Sequence, residues 1–376
     1  MEHHTQNEAV ILGERIREAR ERLKWTQIKL AMEVGLGSAQ TISTIESGNR
    51  EVKASELTRI ARALHTSIDN LLNPELRPEP KFAWREQPQE GFEEHESRFM
   101  VKCERYGLLE KWCNASNPQP LPSLRFRSPC PSFGDAQRQA DNVRNTLQLG
   151  GRPACSLEKA LEEDYGVKVF YDDLGADGGA AFSLKSWFGT AVLLNSCHAP
   201  WRRNFSLAHE FFHLLTMNQL DTCDRDLVEK LANVFASALL LPSEHLLAAF
   251  EAGLENGKIS YESLVEMARE FGVSIDALLW RLVNLGRLQH DIVKDALASN
   301  RLRAIDRASV PSWDPAPRLP ERFVRLCFLA YRQGKIGLAK LAEFLETSIV
   351  DLAEQVYETG AEAADGEQTK ITVAGC

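Results

Sequence analysis

The segment from Leu207 to Leu215 contains the motif His209-Glu210-x-x-His213 inside an otherwise apolar run. This apolar context predicts a helix, and two histidines four positions apart then lie one above the other on a single helix face. Two imidazoles in this arrangement can bind one Zn²⁺ ion, and the carboxylate of Glu210 can act as general base towards a water on that ion. Zinc lowers the pKa of such a water to about 7, which makes the water a nucleophile at neutral pH. The motif therefore predicts a helix that carries part of a hydrolytic metal site.

A catalytic zinc site needs a third protein ligand and keeps one position for water. Downstream, an apolar helix is predicted from Leu227 until Pro242, which cannot continue it. Glu229 lies on the same face of this helix as small apolar residues, where burying a carboxylate is costly unless a cation meets it. We therefore predict Glu229 as the third ligand and Asn233, one turn later, as a hydrogen-bonding neighbour of the site.

These two helices resemble the ImmA/IrrE family of zinc metallopeptidases. The resemblance rests on His-Glu-x-x-His followed by a second motif, Glu229-x-x-Ala-Asn233-x-Phe-Ala-x-x-Leu-Leu-x-Pro242, with Asn195 and Arg202-x-x-Phe205 upstream. The resemblance implies a minimal gluzincin-like fold, in which His209, His213 and Glu229 hold Zn²⁺ and Glu210 is the catalytic base. It also implies cleavage of a repressor protein in response to DNA damage or a related stress. Phe212 stands where the family commonly has glycine, and we expect it to narrow the cleft or to change what docks there.

The first 74 residues have a different pattern. Thr26 is a predicted N-cap of one helix, Gly35 ends that helix, and a second helix starts near Ser38. This arrangement predicts a helix-turn-helix. Residues 8–74 are similar to Xre/Cro-type repressor domains, through Thr26-Gln27-x-x-Leu-Ala, Thr41-Ile-Ser43-x-Ile-Glu-x-Gly and Ser67-Ile-x-x-Leu. The resemblance implies a five-helix domain that binds double-stranded operator DNA.

Two interpretations of this N-terminal domain remain open at the level of sequence. Residues 8–73 contain ten Lys and Arg against nine Asp and Glu, so the basic excess typical of DNA binders is missing and a protein-interaction domain is the alternative. A near-neutral domain should bind DNA weakly unless it dimerises. If it binds DNA, the predicted base-facing residues are Gln40, Thr41, Ser43 and Thr44. The predicted phosphate contacts are Gln27, Asn49, Arg50 and Lys53.

Composition indicates the wider organisation. The net charge is −9 over 376 residues, and the excess of acidic residues lies after the near-neutral first domain. This excess argues against a nucleic-acid surface in the later part of the chain. The eight cysteines form no Cys-x-x-Cys pair and show no metal-binding spacing. The sequence also shows no signal peptide and no apolar run of membrane-spanning length. We therefore expect a soluble cytoplasmic protein with reduced thiols and no membrane partner.

The predicted fold class is α+β and mostly helical, with a small sheet before the metal helix. We expect a helix-turn-helix domain at 8–74, a linker with a charged helix at 75–133, a zinc metallopeptidase domain at 134–250, a helical region at 251–358 and a disordered tail at 359–376. The charged helix is predicted to be a spacer or the arm of a homodimer. The C-terminal region repeats a helix, a serine-capped turn and a helix, which favours ordinary hairpin packing over further nucleic-acid modules.

The function predicted from these features is that of a DNA-binding, zinc-dependent endopeptidase that cleaves a regulator protein and controls transcription. The alternative is a transcriptional regulator whose zincin-like domain senses a ligand without proteolysis. Glu210 favours the enzyme, because a sensor has no need of a general base beside its metal.

Overall fold

The computed structural model describes residues 2–72, 82–84, 91–115, 118–126, 128–175, 179–186, 188–217, 219–309 and 315–352. Helices dominate these residues, as predicted, and they form two compact units. The first unit holds the described residues within 1–82, 87–108 and 183–189, and the second holds those within 83–86, 109–182 and 190–376. Part of the predicted linker at 75–133 and the predicted tail at 359–376 lie outside the described residues.

Five helices build the N-terminal domain. They are α1 (Glu2–Arg22), α2 (Gln27–Val34), α3 (Ala39–Glu46), α4 (Ala54–Ala63) and α5 (Ile68–Leu72). Apolar side chains at helical spacing meet in one core, in which Ile16, Leu30, Ile42 and Ile60 are fully buried. The predicted five-helix domain is confirmed.

Caps at the starts of α2 and α3 fix the helix-turn-helix. The Thr26 hydroxyl accepts the Lys29 N–H (3.2 Å), and the Ser38 hydroxyl accepts the Thr41 N–H (3.3 Å). Gly35 ends α2 at φ 64°, a left-handed conformation that glycine adopts at low cost. Helix α1 crosses α3 closely at Gly13, where a side chain would collide with the backbone of Ile45 and Glu46.

One short strand, one long helix and two smaller helices precede the metal helix. Their bounds are β1 (Phe82–Trp84), α6 (Phe92–Trp112), α7 (Phe133–Thr146) and α8 (Leu157–Glu163), with a 3-10 turn at Pro153–Cys155. Helix α6 is the predicted charged helix, and its residues up to Leu108 belong to the first unit. Ser132 caps α7 through a reciprocal pair of contacts with Asp135.

The small sheet contains β1 together with β2 (Lys168–Asp172), β3 (Ala180–Ser186) and β4 (Gly189–Asn195), in the order β1-β3-β4-β2. Strands β2 and β4 are parallel and paired from Lys168 with Ala191 to Asp172 with Asn195. Both strands are largely buried, which explains why their sequences are apolar without strict alternation.

Two helices follow the sheet and carry the predicted metal site. They are α9 (Pro200–Thr216) and α10 (Arg225–Leu240), which pack against each other, and α10 also packs against α7. Proline at the first turn of α9 suits a helix start, and Pro242 lies just beyond the end of α10, as predicted. Phe211, Phe212 and Phe235 form an aromatic layer between α9 and α10.

The C-terminal helices are α11 (Ser243–Ala252), α12 (Tyr261–Glu270), α13 (Ile275–Asn284), α14 (His290–Ala298), α15 (Asn300–Ala308), α16 (Glu321–Arg332) and α17 (Leu338–Phe344). The predicted repeat of serine-capped turns is present in the structure. In each copy the serine hydroxyl accepts the backbone N–H of the residue three positions later, at Ser67, Ser274 and Ser348. Buried Arg281 of α13 donates to the Leu241 carbonyl (3.2 Å) and the Ser243 hydroxyl (3.2 Å), which ties α13 to the end of α10.

Among the described residues, no single helix has both the length and the apolar character needed to cross a membrane. Helices α10 and α11 pass that test only when taken together across their 58° bend.

Candidate metal centre

Helix α9 presents the two motif histidines on one face. His209 is fully buried, while the side chain of His213 is 15% exposed. Their rings lie 4.9 Å apart between centroids, and their Nε2 atoms are 3.1 Å apart. The spacing of four residues on a helix therefore produces the convergence that the sequence predicted.

Helix α10 brings Glu229 to the same point. The Oε2 atom of Glu229 lies 3.1 Å from His209 Nε2, and its Oε1 atom lies 3.5 Å from His213 Nε2. Potential ligand atoms of these three residues all fall within 4.8 Å of one another. The Glu229 side chain is 35% exposed, so the cluster faces solvent on the side of the carboxylate.

The donor set and its spacing fit a tetrahedral metal ion. Zinc bonds of about 2.0–2.1 Å in tetrahedral geometry place two ligand atoms roughly 3.3 Å apart. The three observed separations of 3.1, 3.1 and 3.5 Å bracket this value. Two imidazole nitrogens and one carboxylate also match the three-ligand set of hydrolytic zinc sites.

Asn233 orients one of the histidines. Its Oδ1 atom lies 3.0 Å from His209 Nδ1, on the opposite side of the ring from Glu229. A carbonyl oxygen there favours a proton on Nδ1 and leaves the lone pair of Nε2 for a cation. Asn233 therefore acts on the cluster through His209.

Glu210 follows His209 in α9 and is fully buried. Carboxylates are seldom buried to this extent unless a charged or hydrogen-bonding group meets them. The role of Glu210 as general base stays a prediction.

The expectation that Phe212 narrows an open cleft is wrong. Its side chain is fully buried, stacks obliquely on Phe235 of α10 (5.3 Å between centroids) and meets the His213 ring edge-on at 5.9 Å. The bulk that replaces glycine therefore fills the space between α9 and α10 and supports His213 from behind.

A buried acidic cluster beside α9 was not predicted from the sequence. The hydroxyl of Tyr171 in β2 donates to Glu158 Oε2 (2.6 Å), and the Val169 N–H points to Glu162 Oε1 (3.4 Å). Burial raises the pKa of Glu158, and burial together with the nearby Glu158 carboxyl raises the pKa of Glu162 to about 8. The signal that could have revealed it is the spacing of Glu158 and Glu162, which lie four residues apart on the helix face that also carries buried Leu161.

The residues predicted to contact DNA fall into two groups. Four of these residues lie on α3 and are exposed or half-buried, namely Gln40, Thr41, Ser43 and Thr44. The N–H of Thr41 donates to the Ser38 hydroxyl that caps this helix. Asn49 and Lys53 are exposed between α3 and α4. Gln27 and Arg50 instead have internal partners, since Gln27 donates to Glu46 (2.8 Å) and Arg50 to Glu56 (2.8 Å). The DNA contacts themselves stay a prediction.

Comparisons with known proteins match the two parts of the chain separately. Residues 11–73 match the model of a helix-turn-helix domain, and residues 162–283 match that of an IrrE N-terminal-like domain. The radiation response metalloprotease IrrE of Deinococcus radiodurans is 26% identical over 195 residues. This alignment covers 47% of the chain and 56% of that relative, so the chain spans little more than half the length of the curated protein it matches.

Two solved structures are similar to parts of the chain at low scores. A transcriptional regulator of Mycobacterium tuberculosis has a TM-score of 0.30 at 18% identity, with 47% of this chain and 51% of that one covered. Bacillus thuringiensis PlcR, in complex with the peptide PapR7 and DNA, has a TM-score of 0.17 at 13% identity, with 94% and 99% covered. Neither score supports an argument about shared architecture. The two domain matches show that residues 11–73 are similar to a helix-turn-helix domain and that residues 162–283 are similar to an IrrE N-terminal-like domain, the domain type of the metalloprotease relative.

Proposed function

We propose that this protein is a DNA-binding, zinc-dependent endopeptidase that cleaves a regulator protein and thereby controls transcription. The observation that carries the proposal is the convergence of His209, His213 and Glu229 at tetrahedral ligand spacing, beside the buried Glu210. The IrrE-like match supports a metallopeptidase at the level of the family, and the helix-turn-helix match supports DNA binding.

The donor chemistry favours zinc over other cations. Calcium and magnesium take oxygen ligands, six or more in number, whereas this cluster offers two imidazole nitrogens and one carboxylate. Imidazole also suits other transition metals, so the choice of zinc rests on the tetrahedral spacing and on the three-ligand pattern of hydrolytic sites.

The residues around the cluster divide the catalytic work. A bound zinc ion supplies Lewis acidity and lowers the pKa of water to about 7. Glu210 is the base that takes a proton from the attacking water and returns it to the leaving amine. Asn233 holds the ring of His209, and Phe212 packs behind His213, so that both histidines keep their orientation.

The identity of the substrate as a regulator protein is supported by the domain combination. A peptidase attached to a DNA-binding domain can act on a protein that occupies the same operator, because the shared DNA raises their effective concentration. A near-neutral helix-turn-helix domain gains affinity by dimerisation, so we further propose that two copies bind two half-sites about one DNA turn apart.

The experiment compares the whole chain with its Glu210→Gln variant for zinc content and for cleavage of repressors from the same genome. Both proteins should hold one zinc per chain, and the variant should cleave about 100- to 10,000-fold more slowly. Casein serves as the non-specific substrate, and we expect it to remain intact. Zinc binding without cleavage of any repressor would favour the alternative function, a transcriptional regulator that uses this domain as a sensor.

The DNA-binding half is tested on the whole chain by footprinting upstream regions at several salt concentrations. Gln40→Ala should relax base preference, whereas Lys53→Ala should weaken all sequences about equally. Arg62→Ala is the matched control, since Arg62 is an exposed cation on α4 that we do not place at the DNA. A footprint unaffected by both Gln40→Ala and Lys53→Ala would contradict the predicted surface.

A further inference from the structure

Two cysteines that are distant in sequence meet in the second unit. Cys130 lies just before α7, and Cys223 lies just before α10. Their Sγ atoms are 3.0 Å apart, although 93 residues separate them along the chain. A disulfide bond needs about 2.05 Å, so an approach of about 1 Å would allow the bond to form.

Local contacts hold both thiols in place. Cys223 Sγ also lies 2.9 Å from the carbonyl oxygen of Pro129, the residue before Cys130, and its own N–H donates to the Leu220 carbonyl (2.9 Å). The position of Cys130 is fixed by Ser132, two residues later, which caps the start of α7. The two sulfur atoms are therefore brought together by the fold before any reaction takes place.

Access alone does not set this pair apart, because Cys155 and Cys197 are exposed as well, but in this pair access is combined with a thiol–thiol contact. Cys130 is exposed and Cys223 is half-buried, whereas Cys103 and Cys327 are buried. Cys197 is also exposed, but its thiol is directed at the Asp173 carboxylate (3.0 Å) and not at a second thiol. An oxidant in solution can thus reach Cys130 and find a second thiol directly beside it.

The two thiols are not equivalent. The hydrogen bond from Cys223 to Cys130, together with partial burial, raises the pKa of Cys223 to about 11. Cys223 therefore keeps its proton near neutral pH, while Cys130 accepts the S–H and faces solvent. This arrangement makes Cys130 the thiol that meets the oxidant and Cys223 the thiol that resolves it.

We propose that Cys130 and Cys223 form a reversible disulfide when the protein meets a hydroperoxide. Cys130 Sγ attacks the peroxide oxygen, the O–O bond breaks, and an alcohol or water leaves while Cys130 becomes a sulfenic acid. Cys223 Sγ then attacks Cys130 Sγ, and the S–O bond breaks as water departs with the proton of Cys223. In sum, two thiols and one hydroperoxide give one disulfide, one alcohol or water, and one further water. A reduced dithiol reverses the bond by thiol–disulfide exchange.

The position of the bond gives it a consequence for the second unit. Cys223 lies in the segment that joins α9, with both histidines, to α10, with Glu229. The disulfide would tie this segment to the start of α7, the helix that packs along α10. Oxidation would therefore fix the connection between the two helices of the candidate metal centre.

The test treats the reduced whole chain with hydrogen peroxide, blocks free thiols by alkylation, and analyses unreduced tryptic peptides by mass spectrometry. We expect the peptides of Cys130 and Cys223 to be joined with the loss of two hydrogen atoms, in a protein that migrates as a single chain. Cys130→Ser and Cys223→Ser should each abolish this product, and the control Cys197→Ser should retain it. In Cys223→Ser, a dimedone adduct should accumulate on Cys130.

Three results would overturn the proposal. The first is sulfenic or sulfinic acid on Cys130 of the native sequence without the joined peptide. The second is a bond between two chains, and the third is a bond that dithiothreitol does not reverse. Neither thiol is a proposed zinc ligand, so the disulfide should also form in Glu229→Ala. A failed metal site and a failed disulfide are thus separate outcomes.

Discussion

The two units of the molecule each place a glutamate against two nitrogen-bearing side chains, with different electrostatic outcomes. In the first unit, Glu46 accepts Arg20 through both oxygens (2.7 and 3.0 Å) and Gln27 through one (2.8 Å). In the second, Glu229 faces the ring nitrogens of His209 and His213 at 3.1 and 3.5 Å. Arg20 carries a permanent charge, and contact with Glu46 raises its pKa further.

The difference shows which glutamate is structural. The Glu46 side chain is only 4% exposed, and its charge is compensated within the protein. Imidazoles are largely neutral near pH 7 and provide no such compensation unless they bind a proton or a cation. We therefore propose that the Glu229 cluster is the place where an external cation binds, and the following changes test that contrast.

Glu46→Ala should have the largest effect on folding. It leaves the guanidinium of Arg20 buried without its carboxylate partner, and breaking a buried pair costs about 3–5 kcal/mol of unfolding free energy. Denaturant unfolding of the whole chain, followed through the transition of the first unit, would measure this loss. Zinc content should be unchanged. The control is Glu21→Ala, which removes an exposed carboxylate that pairs with Arg17 and, at 3.3 Å, with Arg20, and it should change stability far less. Equal effects of the two variants would contradict the structural role.

Glu162 provides a third case, a buried carboxyl that accepts only a long backbone hydrogen bond in the folded protein. Since its folded pKa of about 8 lies above the ordinary value near 4.5, the folded state binds more protons than the unfolded state between these pH values. The unfolding free energy should therefore fall as pH rises from about 4.5 to 8, by on the order of 5 kcal/mol. Denaturant titrations at several pH values would measure the slope.

Glu162→Gln should flatten that slope in part, because the raised pKa of Glu158 contributes in the same direction. The control is Glu163→Gln, which removes a partly exposed partner of Arg325. A slope unchanged by Glu162→Gln would mean that this carboxyl is ionised in the folded protein.

Glu229→Ala should lower zinc affinity by more than about 100-fold. Loss of a residue that hydrogen-bonds a metal ligand typically lowers affinity by about 10- to 100-fold, and loss of the ligand itself should lower it further. Because the Glu229 side chain is partly exposed, the stability of the metal-free protein should change little. Competition with a coloured chelator measures the affinity. His245→Ala, on α11 outside the cluster, is the matched control and should retain zinc. Retention of zinc by Glu229→Ala would show that another group is the third ligand.

Asn233→Ala should have the smallest of these effects, a decrease in zinc affinity of about 10- to 100-fold. The Asn233 amide touches His209 and no other member of the cluster, so its loss frees the ring without removing a ligand. Asn233→Asp should restore most of the affinity, because a carboxylate oxygen can also accept from Nδ1. An affinity unaffected by Asn233→Ala would mean that packing alone holds the ring.

The sequence predicted the metal cluster better than the DNA surface for a physical reason. The positions of His209 and His213 follow from helix periodicity alone, and Glu229 followed from the cost of a carboxylate on an apolar face. By contrast, the partners of Gln27 and Arg50 are Glu46 and Glu56, which tertiary packing selects among many polar side chains. Phe212 shows the same limit, since the sequence gives its bulk but not the direction of its side chain.

Long-range pairings were also beyond sequence reasoning. No spacing rule connects Cys130 with Cys223, and only the packing of α7 along α10 brings their loops together. The small sheet before the metal helix was predicted, while the order of its strands depends on contacts distant in the chain.

The most direct test of the metal centre is zinc K-edge X-ray absorption on the purified whole chain loaded with one equivalent of zinc. The assignment of His209, His213 and Glu229 predicts a shell of nitrogen and oxygen at about 2.0–2.1 Å, with the outer-shell scattering of two imidazoles. The imidazole signal should decrease in His213→Ala. A sulfur shell at about 2.3 Å, which would place the ion on cysteines such as Cys130 and Cys223, would contradict the account.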